Sequence, residues 1–139
     1  MISYVIVGAD DMVSAKRFYL SFLPALNYVL EERTDGLSFA LGKYPVGGAP
    51  GQPEFYVKHA FDGRPASAGN GSMIAFDAHS QSQVRELHAA ALAAGGSNEG
   101  APGFRDAYGP NFYVGYLRDP QGNKLALFSS DPSEPGRDG

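Results

Sequence analysis

Apolar and polar residues follow two different periods along this chain, and the switches between them mark out its elements. Residues 2–7, from Ile2 through Tyr4 and Val5 to Val7, form a β-branched and aromatic run that reads as a strand. From Met12 the period changes. Ala15, Phe18, Tyr19, Phe22 and Leu26 recur at helical spacing and predict a helix over 12–26, with Asp11 as its N-cap and Pro24 weakening its last turn. Short strands are predicted at 28–32 and 37–41, around a turn at Thr34, Asp35 and Gly36. Residues 43–53 read as a Gly/Pro-rich loop, 54–59 as a fourth strand, and 60–70 as an irregular connection.

The pattern then restarts. A strand is predicted over 71–78, Ser80 and Gln83 stand at capping-box spacing, and Val84, Leu87, His88 and Ala91 form the stripe of a second helix that Gly95 and Gly96 end. An offset of 69 residues carries Asp11 onto Ser80, Ala15 onto Val84 and Phe18 onto Leu87. The chain therefore reads as a duplicated βαββ(β) unit. Its last part holds strands over 111–117 and 124–128, joined by Arg118-Asp119-Pro120-Gln121-Gly122-Asn123. Asp119 opens a type I turn, Pro120 presets its first corner, and Gly122 accepts the left-handed conformation that closes it. Both faces of this hairpin are largely apolar, with Tyr113, Gly115 and Leu117 on one and Phe112, Val114 and Tyr116 on the other. It should lie between a core and a pocket. Residues 130–139 have little to bury and are expected to form a flexible tail.

Composition then removes whole classes of function. A chain of 139 residues is expected to form one domain, spanning 1–129, with modules at about 1–60 and 71–129. The absence of cysteine excludes thiol chemistry. A net charge of −4 without a Lys/Arg cluster argues against nucleic acid as a partner. No segment reaches the roughly 20 apolar residues of a membrane span, and the amino terminus lacks the pattern of a signal peptide. A cytoplasmic protein away from the membrane is expected. There is no nucleophile elbow, phosphate-binding loop, dinucleotide fingerprint or close His/Cys ligand spacing.

Single residues offer fewer signals. His88 sits on the helix stripe and reads as a core or boundary histidine, and His79 beside the cap reads as solvent-facing. His59 and Glu54 bracket the fourth strand, where either an inward or a solvated position is open. Arg105 and Tyr108 lie in a Gly/Pro-flanked loop, where an arginine clamps anions and a tyrosine donates a hydrogen bond; a surface pair of Arg105 with Asp106 is the plainer alternative. Tyr56 and Tyr113 either line a pocket or fill it.

Taken together, these motifs resemble one known superfamily. The opening Ile2-Ser3-Tyr4-Val5, the helical Arg17-Phe18-Tyr19, Ile74-Ala75-Phe76, the run 90–96 with Pro102-Gly103-Phe104-Arg105, and the turn 118–123 are similar in order and spacing to the vicinal-oxygen-chelate proteins. That group includes glyoxalase I, extradiol dioxygenases, and fosfomycin and bleomycin resistance proteins. The resemblance implies an α+β fold of two βαβββ modules whose curved mixed sheets enclose a cleft. It also implies a metal centre in many members, with a histidine at the place of Tyr4, another at the place of Met73 and a carboxylate at the place of Ala126. Tyr4 and Met73 are themselves 69 residues apart, so the repeat pairs them independently. A phenol, a thioether and a methyl group are poor ligands for a divalent ion. The expectation is a small-molecule-binding protein with no metal and no cofactor, whose ligand site draws on Tyr4, Tyr56, Met73, Arg105, Tyr108, Tyr113 and Ala126. The alternative is a lyase, isomerase or dioxygenase-like enzyme with an unusual ligand set that includes His59 or Glu54. A homodimer is expected, because family members commonly pair modules within or between chains.

Overall fold

The structure, a computed structural model, describes residues 1–42 and 52–139; most of the Gly/Pro-rich loop expected at 43–53 lies outside the described residues. The first module runs β1 (Tyr4–Gly8), α1 (Met12–Leu20), β2 (Tyr28–Arg33), β3 (Gly36–Leu41) and β4 (Glu54–Lys58). The second repeats the order with β5 (Ile74–Asp77), α2 (Gln81–Ala93), β6 (Ser97–Phe104), β7 (Tyr113–Arg118) and β8 (Lys124–Ser129). Each module makes a four-stranded mixed sheet, ordered β1-β4-β3-β2 in the first and β5-β8-β7-β6 in the second. The first strand of each pairs in parallel with the last, and the other pairings are antiparallel. This is the α+β fold of two βαβββ modules that the sequence predicts.

Both helices begin as the sequence requires. Asp11 accepts the Ser14 N–H at 3.0 Å, and Ser80 accepts the Gln83 N–H at 3.0 Å. Gln83 reciprocates by accepting the His79 N–H at 2.7 Å. Three local readings differ. The helix expected over 12–26 stops at Leu20; Leu23–Leu26, with Pro24 inside it, is a separate 3₁₀ turn closed by Asn27 at φ 71°. The strand β6 was not predicted, because Gly100, Pro102 and Gly103 interrupt any alternation, and its pairing with β7 slips register twice. The segment expected to be a frayed tail is tied down instead. Arg137 donates to the Arg105 and Tyr108 carbonyls at 3.0 and 2.8 Å, and the Glu134 carboxylate accepts the Gln81 N–H at the start of α2.

A single core joins the modules. Phe18, Tyr19 and Phe22 of the first pack in one cluster with Phe76, Val84, Leu87, Leu117, Leu125 and Leu127 of the second. Phe76 of β5 reaches beneath the first sheet, with ring centroids 5.1 Å from Phe55, 5.7 Å from Phe22 and 6.2 Å from Tyr28. The helix-bearing faces of the two sheets thus look towards each other, and the opposite faces look outward. One turn locks this arrangement. The buried Asp119 carboxylate accepts the Tyr19 hydroxyl at 2.6 Å, Asn123 donates to the Gly8 carbonyl at 2.9 Å, and Gln121 accepts the Asp10 N–H at 2.8 Å.

Candidate functional site

Pairing register assigns each candidate to a face. On the first sheet Tyr4 pairs with Glu54 and Ile6 with Tyr56, while the intervening Val5, Val7, Phe55 and Val57 point to the core. Tyr4, Ile6, Glu54 and Tyr56 therefore share the outward face. Tyr4 is 58% exposed and meets the Tyr56 ring edge-on at 5.6 Å. The Tyr56 hydroxyl donates to the Glu54 carboxylate, which is the main reason its pKa is raised above the usual tyrosine value; partial burial and the Glu54 charge add to it, against Arg33 and the Ser38 hydroxyl. Lys58 lies 5.2 Å over the same ring and pairs with Asp35 at 3.0 Å.

On the second sheet Ala75 pairs with Ala126, so Met73, Ala75, Asp77, Lys124, Ala126 and Phe128 share its outward face. Met73 is 44% exposed, whereas Ala126 is covered completely. Aromatic side chains gather on this face: Phe112 stacks on Phe128 and Tyr108 on Phe112, each at 4.6 Å. The structure therefore brings Met73 together with Ala126, and Tyr4 together with Tyr56. Within one chain the first pair and the second lie on different sheets, each on the face away from the core.

The remaining candidates are committed elsewhere. Arg105 does not pair with Asp106; it donates to the Phe104 and Ala101 carbonyls at 3.1 and 2.8 Å and lies 5.2 Å over the Tyr116 ring. Tyr113 is on the inner face, where its hydroxyl accepts from Arg85 at 3.2 Å and its ring meets Phe104. His88 is a structural histidine, as its place on the stripe implies: it is buried, its Nε2 is 2.9 Å from the Tyr116 carbonyl, and its ring fills the space a Gly115 side chain would need. His59 and His79 are exposed.

A groove of about 400 Å³ runs along β5 where it meets the first sheet. Val5, Tyr28, Phe55, Met73, Ile74 and Phe76 give it an apolar wall, and Glu54 and Asp77 are its acidic lining residues. Burial first, and the Asp77 charge second, raise the pKa of the Tyr28 hydroxyl, so this phenol is held as a donor. Of these residues the sequence had singled out only Met73 and Glu54. Tyr28, Phe76 and Asp77 look like ordinary strand positions until the second module is packed under the first.

The chemistry of the donor set does not fit a divalent metal. Tyr4 and Met73 offer a phenol and a thioether, Ala126 offers nothing, and no three His, Cys, Asp or Glu side chains gather among the described residues.

A repeated βαβββ module, with helices on one sheet face and the other left open, defines a paired-module α+β protein. Comparison with solved structures places it more closely. A glyoxalase/bleomycin resistance protein from Albidiferax ferrireducens T118 is 34% identical to this chain, superposes with a TM-score of 0.78, and matches over 94% of this chain and 99% of its own. A glyoxalase/bleomycin resistance protein/dioxygenase family enzyme from Burkholderia phytofirmans PsJN shares the fold at 17% identity and a TM-score of 0.67, over 93% and 98% of the two chains. So does a genomically encoded fosfomycin resistance protein from Listeria monocytogenes, at 13% identity and 0.64, over 96% and 95%. The chain belongs to the glyoxalase/bleomycin resistance family. No family model and no curated protein matches the sequence.

Proposed function

We propose that this chain binds a small organic molecule without a divalent metal, and acts by holding its ligand rather than by metal-assisted catalysis. One observation carries the reading: the positions that resemble metal-ligand positions hold Tyr4, Met73 and Ala126, and one of them, Met73, lines a largely apolar groove of about 400 Å³. A groove of this size falls in the range of roughly 300–1,000 Å³ typical of small-molecule sites. Tyr4, Tyr56, Met73 and Tyr108 remain the proposed ligand-facing set, with residues 1–129 as one binding domain; Ala126 leaves it because it is fully covered. Arg105 and Tyr113 leave it because their polar atoms are already engaged.

The test is to strip the protein with a chelator and compare thermal stability and ligand-panel binding with untreated protein. Both should be unchanged. Stoichiometric metal in the purified protein, or binding lost on chelation and restored by metal, overturns the proposal.

A homodimer is part of the same proposal. β1 and β5 are edge strands; Tyr4 and Ile6 of β1 and Met73 just before β5 are exposed, and a second copy would set the Tyr4 face of one chain against the Met73 face of the other. Light scattering should give the mass of two chains. A single-chain mass at high micromolar concentration removes this part.

A further inference from the structure

The walls of the groove carry charge of one sign only. Glu54 at the start of β4 and Asp77 at the end of β5 stand on it, and among the described residues no lysine, arginine or histidine lines it. Neither carboxylate enters an ion pair among the described residues, where Lys16, Arg33, Lys58, Arg118 and Arg137 are paired with other acids. The rest of its wall includes Phe55, Phe76, Tyr28 and Met73. An anionic ligand would meet two like charges with no compensating cation among the described residues. A neutral ligand would leave the carboxylates facing the apolar body it brings. An ammonium group satisfies both features, because it neutralises carboxylate charge and is attracted to aromatic faces.

We infer that the groove between β5 and the first sheet takes an organic cation, an alkylammonium or arylammonium compound with an apolar body. The apolar part lies against the Phe55, Phe76 and Met73 wall, and the cationic head lies at Asp77, with Glu54 adding negative charge from the first module. The two carboxylates come from different modules, so head-group recognition depends on the packing that brings β5 beneath the first sheet. Burial first, and the Asp77 charge second, raise the pKa of Tyr28, so the Asp77 carboxylate stands close enough to act on a group in this wall. This inference rests on the small-molecule-binding reading above and adds the chemical class of the ligand.

The test uses a matched phenylpropyl series that differs only in head group: phenylpropyltrimethylammonium, 3-phenylpropan-1-ol and 3-phenylpropionate. Each is titrated calorimetrically into the full chain. The cation should bind at least about tenfold more tightly than the alcohol, and the anion more weakly still. Asp77→Asn and Glu54→Gln should each weaken the cation by about tenfold and leave the alcohol unchanged. Glu54 also accepts the Tyr56 hydroxyl, so Asp77→Asn is the cleaner variant. Raised salt should weaken binding of the cation to wild-type protein and not that of the alcohol, which tests the charge without any substitution. Equal affinity across the series, or a cation affinity indifferent to Asp77→Asn and to salt, overturns the inference while leaving the binding function standing. No binding by any member overturns both.

Discussion

The contact between Tyr19 and Asp119 joins the two modules through one hydrogen bond, and its removal is the sharpest test of how they are held. Tyr19 on α1 is fully buried, and Asp119 in the β7–β8 turn is 3% exposed. The carboxylate accepts the Tyr19 hydroxyl at 2.6 Å, the backbone N–H groups of Gln121, Gly122 and Asn123 at 2.9–3.0 Å, and the Asn123 side-chain amide at 2.9 Å. Tyr19→Phe removes one charge-assisted bond and leaves the carboxylate its other donors, a loss of about 2 kcal/mol. Asp119→Ala strands the Tyr19 hydroxyl and the turn amides in a buried place, a loss of about 4 kcal/mol. Urea denaturation reads both. With a slope of about 2 kcal/mol per molar, the midpoints should fall by about 1 M and about 2 M. In the double variant the tyrosine change should add little to the aspartate change, because its partner is already gone. A Tyr19→Phe midpoint equal to that of wild type, or full additivity in the double variant, refutes the reasoning.

Other expectations follow from the caps, the turn and the open faces. Ser80→Ala should cost about 1 kcal/mol in the same assay, through loss of the bond to the Gln83 amide. The Asp11 carboxyl is held below its ordinary value, first by the Ser14 N–H. Its stabilisation is therefore complete above the unfolded-state value near 3.8 and is lost as pH falls through the lower folded value, so melting temperatures of wild type and Asp11→Ala should converge on acidification; a gap independent of pH counts against the cap. Gly122 sits at φ 102°, so Gly122→Val should lower stability by about 2 kcal/mol, and an unchanged melting temperature removes the turn assignment. Combining Tyr4→His, Met73→His and Ala126→Glu should create zinc or nickel affinity that rises with dimer population, because Tyr4 lies on the first sheet and Ala126 on the second; tight binding by a single chain contradicts the proposed dimer arrangement.

Local chemistry made most of the fold legible. Asp11 and Ser80 announce their helices, the apolar stripes identify the buried sides, and Asp119-Pro120-Gln121-Gly122 spells its turn. What escaped was set by partners distant in sequence. β6 is held by β7 and by bulges, not by any alternation of its own. The face of Tyr113 was ambiguous because both sides of its strand are apolar, and only the packing of α2 decides which one is inner. Arg105 looked available for a ligand because the carbonyls that engage it carry no side-chain signature. The groove is a product of docking between modules, so no window of sequence contains it.

Each sheet has one face that carries the core and one that looks outward, and this separates folding from chemistry. Tyr4 stands on the outward face, where an exchange of side chain is separated by the sheet from the core that Phe55 and its neighbours form. A scaffold so divided is free to lose a metal centre, gain an aromatic one or change the charge of its ligand at small cost in stability. The Asp119 turn, by contrast, ties both modules into one inheritance: the outer faces are open to reinvention, but the two halves must travel together.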